Sequence, residues 1–119
     1  MSCIDRARLE EISMGDAEFT IEIIDMALED FSDRIRSMQS ASEEENWEQV
    51  GREAHAIKGT ALNIGANGLA PLAAGIDDSV RKFKMRIEQG AIDAVQTAFK
   101  LVEQELGEIR TELAKSRIK

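Results

Sequence analysis

The chain has one cysteine, one proline, one histidine, one tryptophan and no tyrosine in 119 residues. With Cys3 alone, no intrachain disulfide can form and a four-cysteine zinc site is excluded. One free thiol suits a reducing compartment. A single proline, Pro71, and eight scattered glycines leave no Pro- or Gly-rich linker. The whole of 1–119 therefore reads as one domain. No stretch reaches the roughly 18 consecutive apolar residues of a membrane span. The start, Met1-Ser2-Cys3-Ile4-Asp5-Arg6, lacks the apolar core of a secretion signal. A cytoplasmic protein without a membrane partner is the expectation. Basic residues are outnumbered, 15 Lys and Arg against 23 Asp and Glu, for a net charge of −8. Nucleic acid is a poor partner for such a surface, because phosphate binding needs a basic face.

What the chain does have is helical periodicity nearly throughout. A short first segment carries Ile4, Leu9 and Ile12 and stops at Gly15; Asp16 can cap the next helix. That helix places Ile24, Leu28, Phe31, Ile35 and Met38 at steps of 4, 3, 4 and 3, widened by Ile23 and Ala27. The pattern fades into Ser40-Ala41-Ser42-Glu43-Glu44-Glu45, an acidic run that reads as a solvated helix end. Asn46 can cap a third helix, with Gln49 completing a capping box. Its stripe is Trp47, Val50, Ala54, Ile57, Ala61 and Ile64. Gly65-Ala66-Asn67-Gly68 marks a turn. A further helix with Leu69, Leu72, Ile76, Val80 and Phe83 follows, Pro71 falling near its first turn. After Gly90 a last helix carries Ile92, Val95, Phe99, Val102, Leu106, Ile109 and Leu113. Strand-like alternation is absent. These periods predict an all-α antiparallel four-helix bundle over about 16–117, with 1–14 as an extra N-terminal helix that caps it.

Several chemistries can be tested on this frame. A di-metal carboxylate centre needs a Glu-x-x-His pair on each of two helices. The one histidine, His55, has Arg52 three residues before it. A hydrolytic triad needs a histidine between a nucleophile and an acid, and no serine or cysteine stands beside His55 on its helix. A Gly-x-x-x-x-Gly-Lys-Ser/Thr phosphate loop is absent. His55 itself remains. At about 100° per residue it points roughly 135° away from the apolar stripe, toward water. Gly51 and Gly59 lie one turn to either side, and a glycine in an exposed helix interior costs about 1 kcal/mol relative to alanine. Two of them beside one outward imidazole leave room for something large. Lys58 and Arg52 place cations nearby. Neutral imidazole is a competent nucleophile, so phosphorylation of the ring is the chemistry that fits. The plain alternative is an ordinary exposed helix residue on a scaffold.

His55-Ala56-Ile57-Lys58-Gly59-Thr60-Ala61, followed by Gly65-Ala66 and Leu69, closely resembles the signature of histidine-containing phosphotransfer (HPt) domains of two-component phosphorelays. With Asn46-Trp47 and the helix before it, the likeness spans about residues 15–115. It implies a four-helix bundle in which His55 accepts a phosphoryl group from a response-regulator receiver domain and passes it to another. It implies that Lys58 steadies the phosphoryl charge. The docking residues expected around the ring are Gly51, Arg52, Ala56, Gly59 and Leu62, with Arg81 from the following helix. The resemblance further implies a carrier without ATP site or autonomous kinase activity, with no cofactor of its own, Mg²⁺ belonging to the receiver. Receiver domains and a hybrid histidine kinase are the expected partners of a monomer. The competing reading is a non-catalytic adaptor bundle that binds a signalling partner through the same face.

Overall fold

The computed structural model describes residues 2–118, with side chains placed through residue 116. Five helices run in order: α1 Arg6–Ser13, α2 Ala17–Glu43, α3 Trp47–Ile64, α4 Ala70–Arg81 and α5 Gln89–Ile118. Among the described residues there is no strand. The four longer helices form the bundle, α3 packing between α2 and α4 while α2 also lies along α5. The expected all-α bundle with a short N-terminal helix is what forms.

The starts are set by side-chain caps. Asp5, Asp16 and Asn46 each accept a hydrogen bond from the backbone N–H three residues on, satisfying one of the free donors at a helix start. The capping box at α3 is only half formed. Asn46 gives its own N–H to the Ala41 carbonyl at 2.8 Å, so Gln49 has no donor to return to. For the same reason α2 runs through Glu43, past the expected fade at Ser40: Ala41 is buried and its carbonyl anchors the turn.

The core follows the apolar stripes. Phe31, Ile24, Met38, Ile57, Leu69, Ile92 and Leu106 are fully buried, and Phe31 meets Phe99 edge-on with centroids 6.0 Å apart. The N-terminal segment closes one end. Asp5 donates its N–H to the Gly65 carbonyl at 2.7 Å, and Gly68 donates to Cys3 at 3.1 Å. Gly65 has φ +79 and a Cβ there would sit 2.9 Å from the Asp5 carbonyl, so only glycine fits this turn. Polar ties fix α2 on α3: Arg34 bridges Asp30 at 3.3 Å and the buried Glu53 at 3.0 Å, and Thr60 donates to Asp30 at 3.0 Å. Burial alone would raise the Glu53 pKa, but hydrogen bonds from Ser37, Arg34 and Gln49 hold it below the usual range.

Two expectations are corrected. The buried stripe of α4 is Ala70, Ala73, Ile76, Asp77 and Val80, with Leu69 just before it. Leu72 is 38% exposed, and Phe83 is 66% exposed beyond the helix end. Small alanines, not the larger Leu72 and Phe83, let α4 approach α3. The second correction is Gly51. It is not an open flank of His55 but is buried beneath α4, where an added Cβ would lie 2.9 Å from Val80 Cγ1 and 3.1 Å from Val80 Cβ. Val80 is β-branched and cannot swing aside. Gly51→Ala is therefore expected to destabilise the fold by about 1–3 kcal/mol through overpacking, read as a lowered midpoint in urea unfolding. An unchanged or raised midpoint would contradict this packing.

Candidate functional site

His55 sits mid-way along α3, between Ala54 and Ile57 of the buried stripe, and its side chain is 54% exposed. The Gly65 turn sends α4 back along α3, and this brings residue 77 opposite residue 55. Asp77 is the result that matters: its carboxylate is wedged between the helices, only 3% exposed, in contact with three cationic or hydrogen-bonding side chains. Oδ2 lies 2.9 Å from His55 Nδ1 and accepts a hydrogen bond from Lys58 Nζ at 3.3 Å. Oδ1 is 3.3 Å from Arg81 Nη1, an ion pair without hydrogen-bond alignment, and has no hydrogen-bond partner among the described residues. Arg81 Nη1 instead points at His55 Nδ1, 2.9 Å away.

The electrostatics follow from this geometry. Burial pushes the Asp77 pKa up. The hydrogen bonds from His55 and Lys58 and the Arg81 charge outweigh it and leave the carboxyl below its ordinary value. Asp77 is thus an anion at neutral pH. A carboxylate can only accept, so its bond to the ring requires the proton on Nδ1. Nε2 then carries the free lone pair, and it makes no hydrogen bond among the described residues. The ring is held at one nitrogen and open at the other.

Of the residues singled out in the sequence, His55, Lys58 and Arg81 converge. Gly59 is exposed, with no neighbouring side chain or distant backbone within 4 Å of the place a Cβ would take. Leu62 is 57% exposed on the outer surface of α3. Ala56 is half-buried and, with Ile23, Met26, Thr60 and Asn63, lines a groove of about 360 Å³ between α2 and α3. Arg52 does not join the ring: it turns back along its own helix to Glu48 at 3.0 Å and Gln49 at 3.2 Å. Gly51 is a packing residue, as above. Asp77 was missed. Its signal was an acidic residue in register with Ala73 and Val80, hidden while Leu72 was counted into the stripe.

Among the described residues, no group of three or more His, Cys, Asp or Glu is placed to hold a metal ion. No helix there is long and apolar enough to cross a membrane.

Comparison with known proteins agrees with this fold. The fold matches the crystal structure of histidine-containing phosphotransfer protein B (HptB) from Pseudomonas aeruginosa PAO1 with a TM-score of 0.85. The match covers 92% of this chain and 96% of that one, at 21% sequence identity. At that identity the likeness is one of fold. No curated protein matches the sequence. The family model described as Hpt domain matches residues 22–114, most of the chain and the whole of α3 and α4. The chain belongs to the Hpt domain family.

Proposed function

We propose that His55 carries a phosphoryl group between phospho-aspartates of response-regulator receiver domains. One observation supports this above the others: an exposed imidazole in contact through Nδ1 with a buried carboxylate that also pairs with two cations, while Nε2 makes no hydrogen bond among the described residues. In the forward step the Nε2 lone pair attacks phosphorus. The N–P bond forms as the P–O bond to the receiver's aspartate breaks, and that carboxylate leaves as the anion. The ring gains positive charge, which Asp77 stabilises through Nδ1–H. Lys58 and Arg81 are the cations that would meet the phosphoryl oxygens. A second receiver's carboxylate reverses the step. The Mg²⁺ of the reaction belongs to the receiver, and the acyl phosphate supplies the driving force, so the chain acts as a carrier and not as a kinase.

Docking falls to the surface beside the ring. Gly59 gives clearance, Met26 (71% exposed) provides apolar contact at the α2–α3 groove with Ala56, and Leu62 (57% exposed) provides it on the outer surface of α3. A hybrid histidine kinase is the expected source of phosphate, in the cytoplasm, with the chain acting as a monomer.

The test is incubation with a panel of phosphorylated receivers. Acid-labile, alkali-stable phosphate on the chain supports the reading; full retention of phosphate by every receiver contradicts it.

Gly59 supplies a second test, because stability and function should move in opposite directions. Nothing crowds its Cβ position, so Gly59→Ala is expected to stabilise the fold by roughly 0.5–1 kcal/mol. Transfer from a receiver is expected to fall progressively from Ala to Gln to Trp. Melting and transfer rate on the same three variants check this. A Gly59→Trp protein exchanging phosphate at the parent rate would remove Gly59 from the docking surface.

A further inference from the structure

His55 Nδ1 has two neighbours at 2.9 Å that make opposite demands on it. Asp77 Oδ2 can only accept, so its bond needs a proton on Nδ1. Arg81 Nη1 can only donate, so its bond needs a bare Nδ1. A neutral imidazole carries one proton and cannot satisfy both. With Asp77 as partner the ring is the Nδ1–H tautomer and Nε2 is a nucleophile. With Arg81 as partner the proton sits on Nε2 and that nitrogen has no lone pair to attack with. The two partners differ in freedom. Asp77 is 3% exposed and held by Lys58 as well. Arg81 is 57% exposed, at the end of a long side chain on the last turn of α4. Arg81 is therefore the one that can leave.

We propose that Arg81 is a positioning residue that competes with Asp77 for Nδ1 and is drawn off by the anion that docks at the ring, which releases the nucleophilic tautomer of His55. This rests on the phosphoryl-carrier reading above. When the phosphoryl group arrives, its oxygens offer the guanidinium a stronger partner than a neutral ring nitrogen. As Arg81 turns to it, Nε2 gives up its proton to water and Nδ1 takes one, closing the bond to Asp77. No proton is gained or lost overall. The ring becomes reactive when a donor is present, and Arg81 is already in place to meet the charge being transferred. After the phosphoryl group departs, Arg81 returns to Nδ1.

The experiment is ¹⁵N NMR of the ring in the whole chain, at a pH of about 8.5 where imidazole is neutral. It reads the ratio of Nδ1–H to Nε2–H directly. In the parent both forms are expected. Arg81→Ala should raise the ratio of Nδ1–H to Nε2–H by on the order of 10-fold, the worth of one charge-assisted hydrogen bond. Asp77→Asn should move it the other way. Inorganic phosphate, used as the anion probe, should shift the parent toward Nδ1–H and leave Arg81→Ala unchanged. Arg81 is a surface side chain, so its variant keeps the fold and decides the matter even where Asp77→Asn does not fold. The same ratio in the parent and Arg81→Ala, or a parent ratio indifferent to phosphate, would overturn the proposal. Labelling of His55 by phosphorylated receivers is scored separately. A ring that switches as described yet never takes phosphate upholds the competition and sinks the carrier reading. A labelled ring whose tautomers ignore Arg81 does the reverse.

Discussion

His55→Gln is expected to abolish acid-labile phosphorylation completely while the fold persists. His55 is the only histidine in the chain, so no second imidazole can substitute. The loss should not be a consequence of unfolding. The side chain is more than half exposed, and its two contacts are the buried Asp77 and the exposed Arg81. A glutamine amide can donate to the same carboxylate, so stability should change by no more than about 1 kcal/mol. Labelling with phosphorylated receivers and a thermal melt on the same preparation check both halves. Residual acid-labile phosphate on the variant would place the acceptor elsewhere. A large drop in melting temperature would mean His55 is part of the packing.

The second large effect is expected at Asp77. Asp77→Ala removes the one anion that holds His55, Lys58 and Arg81 together across the α3–α4 seam. The cations it leaves behind reach water, so stability should fall by about 1–3 kcal/mol, in the range of hydrogen bonds to a charged group. Transfer should fall further, by on the order of 10- to 100-fold, because neither the tautomer nor the positive charge growing on the ring is supported. The pH dependence has a defined sign. The folded carboxyl titrates below its ordinary value. Its contribution is therefore complete above the unfolded carboxylate pKa of about 3.9 and disappears as pH falls through the lowered folded value. Urea midpoints of the parent and Asp77→Ala should differ at pH 7 and converge in strong acid. Equal midpoints at pH 7 would show that the cluster contributes nothing to the fold.

The positions of α2, α3 and α5 were legible because their apolar residues recur at an unbroken helical period, with large residues at most steps. Ile24, Phe31, Ile57, Ile92 and Leu106 are all fully buried. In α4 the same rule misled. Leu69, Ile76 and Val80 are buried as expected, but the rest of the contact face is Ala70 and Ala73, which carry little hydropathy signal, and Asp77, which carries the wrong sign. His55, Lys58 and Gly59 could be read as a site because all three lie on one helix, where spacing gives direction. Gly51 obeys the same spacing, yet it is covered, because which helix packs over the far side of α3 is a tertiary fact. Arg52 likewise had the right direction, but a nearer partner in Glu48. The Asp77 contact joins residues 22 apart through a turn whose exact angle depends on Gly65 and on the N-terminal segment beneath it. No spacing rule reaches that far.

The central claim, that this chain is a phosphoryl carrier through His55, is tested most directly by a three-component relay. A phosphorylated receiver with radiolabelled phosphate is mixed with a second, unphosphorylated receiver that does not exchange with it alone. With the parent chain present, label is expected to appear on the second receiver by way of an acid-labile species on the chain. With His55→Gln it should stay on the first. Label reaching the second receiver equally well with His55→Gln, or never reaching it with the parent from any pair in a broad panel, would contradict the account.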